Sequence, residues 1–307
     1  MEFLRLLEGM RSPFLDSVIG LLTRLGEETV AIVILCAIFW CISKRVAYVI
    51  GTSFFLSGLT VQGMKICFRI DRPWVADPTL KPVESAYEHA TGYSFPSGHT
   101  QSATALFGSL GMQIKQRAAQ IVCFIIPVIV AFSRLYLGVH TPQDVLVSLV
   151  ITFLFVLLTL KIMSGDASNK KHNLIISLVM VVYAGVVILI AMILHSNGTI
   201  EEKYVADCMK AAGAGVGFAV GMFVERTYID FPVKSRGIIW QIIKYVIGLA
   251  ILLGIQEGLK PVIGKSLIAD MCRYFLMISW VTLFYPLLIK KFFKPVDKQS
   301  EDKDPTF

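Results

Sequence analysis

The sequence is short of charge. Only 17% of its residues are Asp, Glu, Lys or Arg, against about 25% in ordinary soluble domains. With 55% hydrophobic residues and a mean hydropathy of +0.67, this deficit excludes a water-facing surface all round. Paired cysteines are also lacking. Cys36, Cys41, Cys67, Cys123, Cys208 and Cys272 stand singly, mostly inside apolar runs, with no C-x-x-C or zinc spacing. A disulfide frame and a zinc module are therefore not expected, and the thiols read as unpaired and buried. The N-terminus has no basic stretch leading into an unbroken apolar core with a small-residue cleavage site, so it does not read as a signal peptide. No long Pro/Ser/Gly linker divides the chain.

What is present is a series of apolar runs near the roughly 20 residues that cross a bilayer core. Expected spans cover 28–43, 47–68, 100–114, 119–138, 144–163, 173–195, 207–224, 239–257 and 271–290. The fold class is thus all-α, a polytopic transmembrane helical bundle of about nine spans. Residues 1–26, where Arg5, Arg11, Asp16 and Arg24 interrupt the apolar positions, read as an interfacial helix ending at the Leu25-Gly26 turn. The polar loop 164–173 separates a front half from a back half, and the charged tail 293–307 reads as disordered.

The net charge of +7 is better explained by topology than by nucleic acid. Lys44-Arg45, Lys115 with Arg117, Lys170-Lys171, Arg226 to Arg236, and Lys290-Lys291 with Lys294 fall at alternate span ends. Basic loops stay in the cytoplasm, which turns the loops 69–99, 133–143, 196–206 and 258–270 outward. Lys65, Arg69, Arg72 and Arg134 then stand on the side where positive charge is disfavoured, and such exceptions mark functional positions.

Three outward stretches carry the unusual polar residues: "KICFRIDRP" (65–73), "PSGH" (96–99) and "SRLYLGVHTPQD" (133–144). Lys65, Arg72 and Arg134 supply cations and forked donors suited to a phosphate. Ser97 adds a hydroxyl, and the Gly98 N–H lies at a helix start where an oxyanion can approach closely. His140 and Asp144 are four apart, on one face of a helical turn. The carboxylate can hold one imidazole nitrogen and leave the other free to attack. His99 remains to protonate a departing alcohol. Nucleophile, orienting acid, proton donor and anion clamp are all present, with no metal or cofactor required.

These residues resemble the type 2 phosphatidic acid phosphatase superfamily. Its K-x6-R-P, P-S-G-H and S-R-x5-H-x3-D motifs match Lys65/Arg72/Pro73, Pro96 to His99, and Ser133/Arg134/His140/Asp144. The resemblance covers roughly residues 25–165. It implies a phosphohistidine on His140, with His99 as the acid. The superfamily holds membrane lipid phosphatases, glucose-6-phosphatase catalytic subunits and soluble haloperoxidases, and the apolar spans disfavour the last. The back-half run "GFAVGMFVERTYIDF" looks most like sphingoid-base-phosphate phosphatases.

The organisation expected is thus a catalytic helical core over 27–165 and additional transmembrane helices over 166–292. The substrate implied is a phosphate monoester or pyrophosphate on a lipid drawn from the bilayer, with the active site on the extracytoplasmic face. Two alternatives stay open: a phosphatase for a soluble sugar phosphate, and a non-enzymatic lipid binder or transporter on the same fold. A zinc site at His99, His140 and Asp144 is disfavoured, because three cations would crowd a dication. Gly213, Gly217 and Gly221 recur every four residues, which fits helix packing better than a substrate groove. Glu225-Arg226 reads as a surface pair, His89 as a loop residue, and His172 and His195 as flanking spans.

Overall fold

A computed structural model describes residues 1–87, 90–165, 169–235, 237–264 and 266–293. His89 and the tail from 294 onward lie outside the described residues. Every regular element among the described residues is helical. The N-terminal segment holds two helices where one was expected: α1 (Glu2–Gly9) and α2 (Pro13–Thr23). Arg11-Ser12-Pro13 breaks them apart. The Ser12 hydroxyl accepts from the Leu15 N–H at 3.3 Å and Pro13 fills the first helical position, both strong start signals. Leu4 and Leu7 of α1 are buried against Leu80, Ala131, Leu135 and Val145, so this segment is docked on the bundle. Residues 13–26 meet 28–42 at a bend of 53°.

After α3 (Glu28–Ala37) comes α4 (Lys44–Phe68). A Ser43 cap starts α4, and it ends at Arg69 in the left-handed region, φ 51. That reversal lets the chain carry Arg72 back over the helix end. After two single helical turns, Pro73–Ala76 and Glu84–Tyr87, α5 (Gly98–Ala103) continues through a wider turn into Ser109–Gly111. The remaining helices are α6 (Arg117–Tyr136), α7 (Pro142–Met163), α8 (Lys170–Ser196), α9 (Glu202–Val224), α10 (Ile238–Ile263) and α11 (Leu267–Ser279). The last runs on through a wider turn to Phe292.

Among the described residues, seven helices are long and apolar enough to cross a membrane, or up to eight if the bent pair 13–42 counts as one span. The chain is a multi-pass membrane protein. Of the nine expected spans, 28–43 and 100–114 fall short alone. The helical stretch 98–111 is only about 21 Å long at 1.5 Å per residue, against a core of about 30 Å.

Three glycines pack the back half. A Cβ on Gly213 would lie 2.2 Å from the Met271 carbonyl oxygen, one on Gly217 2.7 Å from that of Phe275, and one on Gly221 would strike the Thr282 side chain. The spacing of four is therefore the close seam between α9 and the α11 segment. The pairing expected of Glu225 is corrected here. It is fully buried, where it accepts from Lys44 at 3.0 Å, from the Phe231 N–H at 3.2 Å and from the Tyr48 hydroxyl. A buried carboxylate needs such partners, and α4 supplies two of them. His172 and His195 serve helix ends through the carbonyls of Ile162 and Ile200, at 2.9 and 3.0 Å.

Candidate functional site

All three polar stretches meet at one end of the bundle. Lys65, Arg72, Gly98, His99, Arg134 and His140 line a single cavity of about 1000 Å³. The charged members are deeply placed: Arg72 is 6% exposed, Arg134 3%, His140 2% and Asp144 1%.

His140 precedes α7, and the same local sequence that starts the helix orients the imidazole. Thr141 and Asp144 form a reciprocal capping box, with the Thr141 N–H donating to Asp144 Oδ2 at 2.8 Å. That oxygen also faces His140 Nδ1 at 3.3 Å and accepts from the Ser94 hydroxyl at 2.5 Å. On the other edge of the ring, Arg72 NH1 lies 2.9 Å from Nε2. A guanidinium cannot accept a hydrogen bond. Nε2 is therefore the acceptor, and Nδ1 carries the hydrogen turned toward Asp144. The tautomer assigned by this network has its lone pair on the nitrogen away from the carboxylate.

Arg72 is held by carbonyls. Nε donates to Gly92 O at 3.0 Å, NH2 to Thr91 O at 2.8 Å and NH1 to Val139 O at 2.9 Å. The 91–94 loop is in turn fixed by α9, where Tyr93 and Tyr204 stack with centroids 4.1 Å apart and planes 11° off parallel. Arg134 NH1 donates to the Thr23 hydroxyl at 3.0 Å, while its buried Nε has no acceptor among the described residues. Lys65 Nζ approaches within 3.9 Å of a Cβ built on Gly98, so the cation and the helix start face one another. Gly26 closes on His99: a Cβ there would lie 2.7 Å from the His99 carbonyl oxygen. Gly138, with φ +74, makes the turn that delivers Val139 and His140.

Ser97 is placed differently from its expected role. It is fully buried, and its hydroxyl caps α5, accepting from the Thr100 N–H at 3.4 Å and hydroxyl at 3.0 Å. Its carbonyl accepts from Ser148 at 2.7 Å, which ties α5 to α7. Ser97 thus fixes Gly98 and His99 rather than lining the cavity. Ser94, Thr23 and Tyr204 carry no mark in the sequence, and Gly26 is marked there only as a turn. The T-x-x-D box at 141–144 was readable there as a helix start.

His140 stands outside the membrane-crossing helices. Its pKa is pushed well below the ordinary value by burial, then by the charges of Arg72 and Arg134. That ring is thus neutral near pH 7 while the site holds only its own cations. A phosphate dianion reverses that field, favouring a proton on His99. The arrangement can hold a phosphoryl group, present it to a neutral imidazole and offer a proton to the opposite oxygen.

Comparison with known proteins agrees with the motifs. The family "PAP2 superfamily" matches residues 46–168, and "PAP2 superfamily phosphatase, transmembrane extension" matches residues 209–296. A probable sphingosine-1-phosphate phosphatase of Dictyostelium discoideum is 28% identical over 169 residues, covering 50% of this chain and 40% of that protein. Phosphatidylglycerophosphatase B of Bacillus subtilis (strain 168) is 26% identical over 155 residues, 45% of this chain and 70% of the relative. Undecaprenyl-diphosphatase BcrC of the same organism is 30% identical over 146 residues, 46% of this chain and 70% of the relative. The chain therefore spans less than half of the first relative's length. No solved structure gives a significant match. By its three motifs, its two family matches and these relatives, the chain belongs to the PAP2 superfamily.

Proposed function

We propose that this protein is a membrane phosphatase that hydrolyses a phosphate monoester or pyrophosphate on a lipid, through a phosphohistidine on His140 and without a metal. The observation that carries the reading is the hydrogen-bonded line Arg72–His140–Asp144. It holds a neutral imidazole with its lone pair on the cavity side of a cationic pocket. The three relatives, named for a sphingoid-base phosphate, a glycerophospholipid phosphate and a polyprenyl diphosphate, support a lipid substrate.

In this reading Lys65, Arg72, Arg134 and the Gly98 N–H hold the phosphate oxygens. Arg72 NH1 moves from His140 Nε2 to a phosphate oxygen and frees the lone pair. Nε2 then forms a bond to phosphorus while the ester P–O bond breaks. The departing alkoxide takes the proton of His99. In the second half a water gives a proton back to His99 and attacks phosphorus, the P–N bond breaks, and inorganic phosphate leaves. Asp144 stabilises the charge that appears on the imidazole during attack. The clamp acts on charge that develops in the transition state, where a single such donor is worth about 10²–10³ in rate. The test is phosphate release from lipid phosphates in detergent, with and without EDTA. Undiminished release in EDTA is expected, with competitive inhibition by vanadate. Loss on chelation with recovery on zinc or magnesium overturns the metal-free reading.

The catalytic core in this reading is 27–165, with 166–292 as additional membrane helices. The bent segment 28–42 and the short stretch 98–111 complete nine crossings, and the site faces the extracytoplasmic side. Support comes from the opposite end of the bundle. There Lys44, Lys170 and Lys290 gather against Glu225, Tyr228 and Ile229, as a cytoplasmic face requires. A cysteine at the exposed Ser85 is expected to react with an impermeant thiol reagent in intact cells, once Cys67 and Cys272 are removed. One at the exposed Ser164 is expected to stay unlabelled. The reverse pattern inverts the topology.

A further inference from the structure

The cavity does not stop at the phosphate clamp. It continues down α4 from Lys65 past Gln62 and Gly58 to Phe54, about 16 Å at 1.5 Å per residue. That depth equals about half of a 30 Å bilayer core, the thickness of one leaflet. Its walls change character on the way. Below the clamp lies a polar belt of Glu28, Gln62, Asp207 and Lys210, the last two paired at 3.0 Å. Beneath it the lining is mostly apolar, with Ile32, Phe55, Leu59, Ala214, Met277 and Ile278 around the single amide of Gln101, whose nitrogen is held by Phe54 O and the Ser57 hydroxyl. The front half contributes α3 and α4 to this lower chamber, and the back half contributes α9 and α11.

We infer that this chamber takes the hydrocarbon chain of the substrate, and that the substrate is a lipid phosphate with one long chain, seated against a wall built by α9 and α11. The inference rests on the phosphatase reading. Continuity with the clamp gives the occupant: a molecule whose phosphate lies against His140 has its next polar atoms in the belt and its chain in the apolar floor. Volume decides the number of chains. At about 30 Å³ per heavy atom, the share of a water molecule in its liquid, a 1000 Å³ cavity holds roughly thirty heavy atoms. That is the size of a phosphate with one long chain, and the cavity alone falls short of one with two. The helices outside the catalytic motifs thereby acquire a role in selecting the substrate.

Two small residues on facing walls make the test. A Cβ on Gly58 would meet only Gln101, at 3.8 Å, so Gly58→Ala is accommodated, whereas Gly58→Leu projects into the chamber. Ala211 on α9 also lines the cavity, and Ala211→Leu fills it from the other side. The measurement is kcat/KM in detergent micelles for lysophosphatidates of six and eighteen acyl carbons and for dioctadecanoyl phosphatidate. The unsubstituted protein is expected to prefer the long single-chain substrate to the two-chain one by at least tenfold. Both leucine variants are expected to lower the long-to-short ratio by at least tenfold, through KM, with Gly58→Ala close to the parent. Equal or better use of the two-chain substrate, or an unmoved ratio in both leucine variants, overturns the inference while leaving the phosphatase reading intact. No turnover of any of the three by the unsubstituted protein overturns both.

Discussion

His140→Ala is expected to lower turnover by at least about 10⁴-fold, in keeping with the loss of a nucleophile elsewhere, while the protein stays folded. Its fold should survive because the imidazole is a partner of Asp144 rather than its sole support. Asp144 Oδ2 keeps the Thr141 N–H and the Ser94 hydroxyl. Elution in detergent and thermal unfolding check that the variant is intact. Asp144→Asn should lose less, about 10²–10⁴-fold, because attack remains possible and only orientation and charge stabilisation suffer. An alanine variant at 140 with near-normal turnover would falsify the assignment of the nucleophile.

The second large effect separates the acid from the nucleophile. His99→Ala is expected to cost about 10²–10⁴-fold on a lipid alkyl phosphate, whose alkoxide needs a proton to leave. On p-nitrophenyl phosphate the same variant should lose far less, since that group departs unaided. His140→Ala should damage both equally. The comparison is made on formation of the phosphoenzyme, because its later hydrolysis is common to the two substrates. Equal loss on both substrates in His99→Ala makes His99 a member of the clamp instead. The pH dependence follows from the shift at His140 and from the ionisation of the phosphate. His140 must be neutral, and its pKa is lowered, so the acidic limb lies well below pH 6.5. One further proton must be shared by His99 and the phosphate, whose second ionisation lies near pH 6. The rate of phosphoryl transfer therefore falls as pH rises through that value, and the optimum lies on the acid side of neutrality. A profile still rising above pH 8 contradicts this assignment of protons.

Much of the site was legible because its chemistry is carried by residue types at fixed short spacings. His140 and Asp144 share one helical turn, and Pro-Ser-Gly-His starts one helix. Lys65 and Arg72 straddle the end of α4. The supporting residues follow a different logic. Arg72 is held by the carbonyls of Thr91, Gly92 and Val139, and carbonyls leave no mark on the residue type. Thr23 and Tyr204 reach the site from distant segments, so only the packed bundle reveals them. Ser97 could be read as a helix cap or a phosphate ligand, and in the structure its hydroxyl accepts from Thr100 at the start of α5. Glu225 read as exposed because a span end suggests water, yet Lys44 and Tyr48 enclose it. The two N-terminal helices were marked by Ser12-Pro13, a start signal hidden among apolar positions that suggested one amphipathic stretch. The break within 98–111 has no counterpart in hydropathy, which registers apolar length but not a wider turn.

Rapid quenching of the enzyme with a lipid phosphate labelled in its phosphoryl group addresses the central claim directly, provided it is done in EDTA and followed by peptide mapping. The account predicts a label that survives alkali, is released by acid, maps to His140 and is absent from His140→Ala. A label on a hydroxyl or carboxylate side chain, or product formed in a burst-free reaction that never labels the protein and requires added metal, contradicts it.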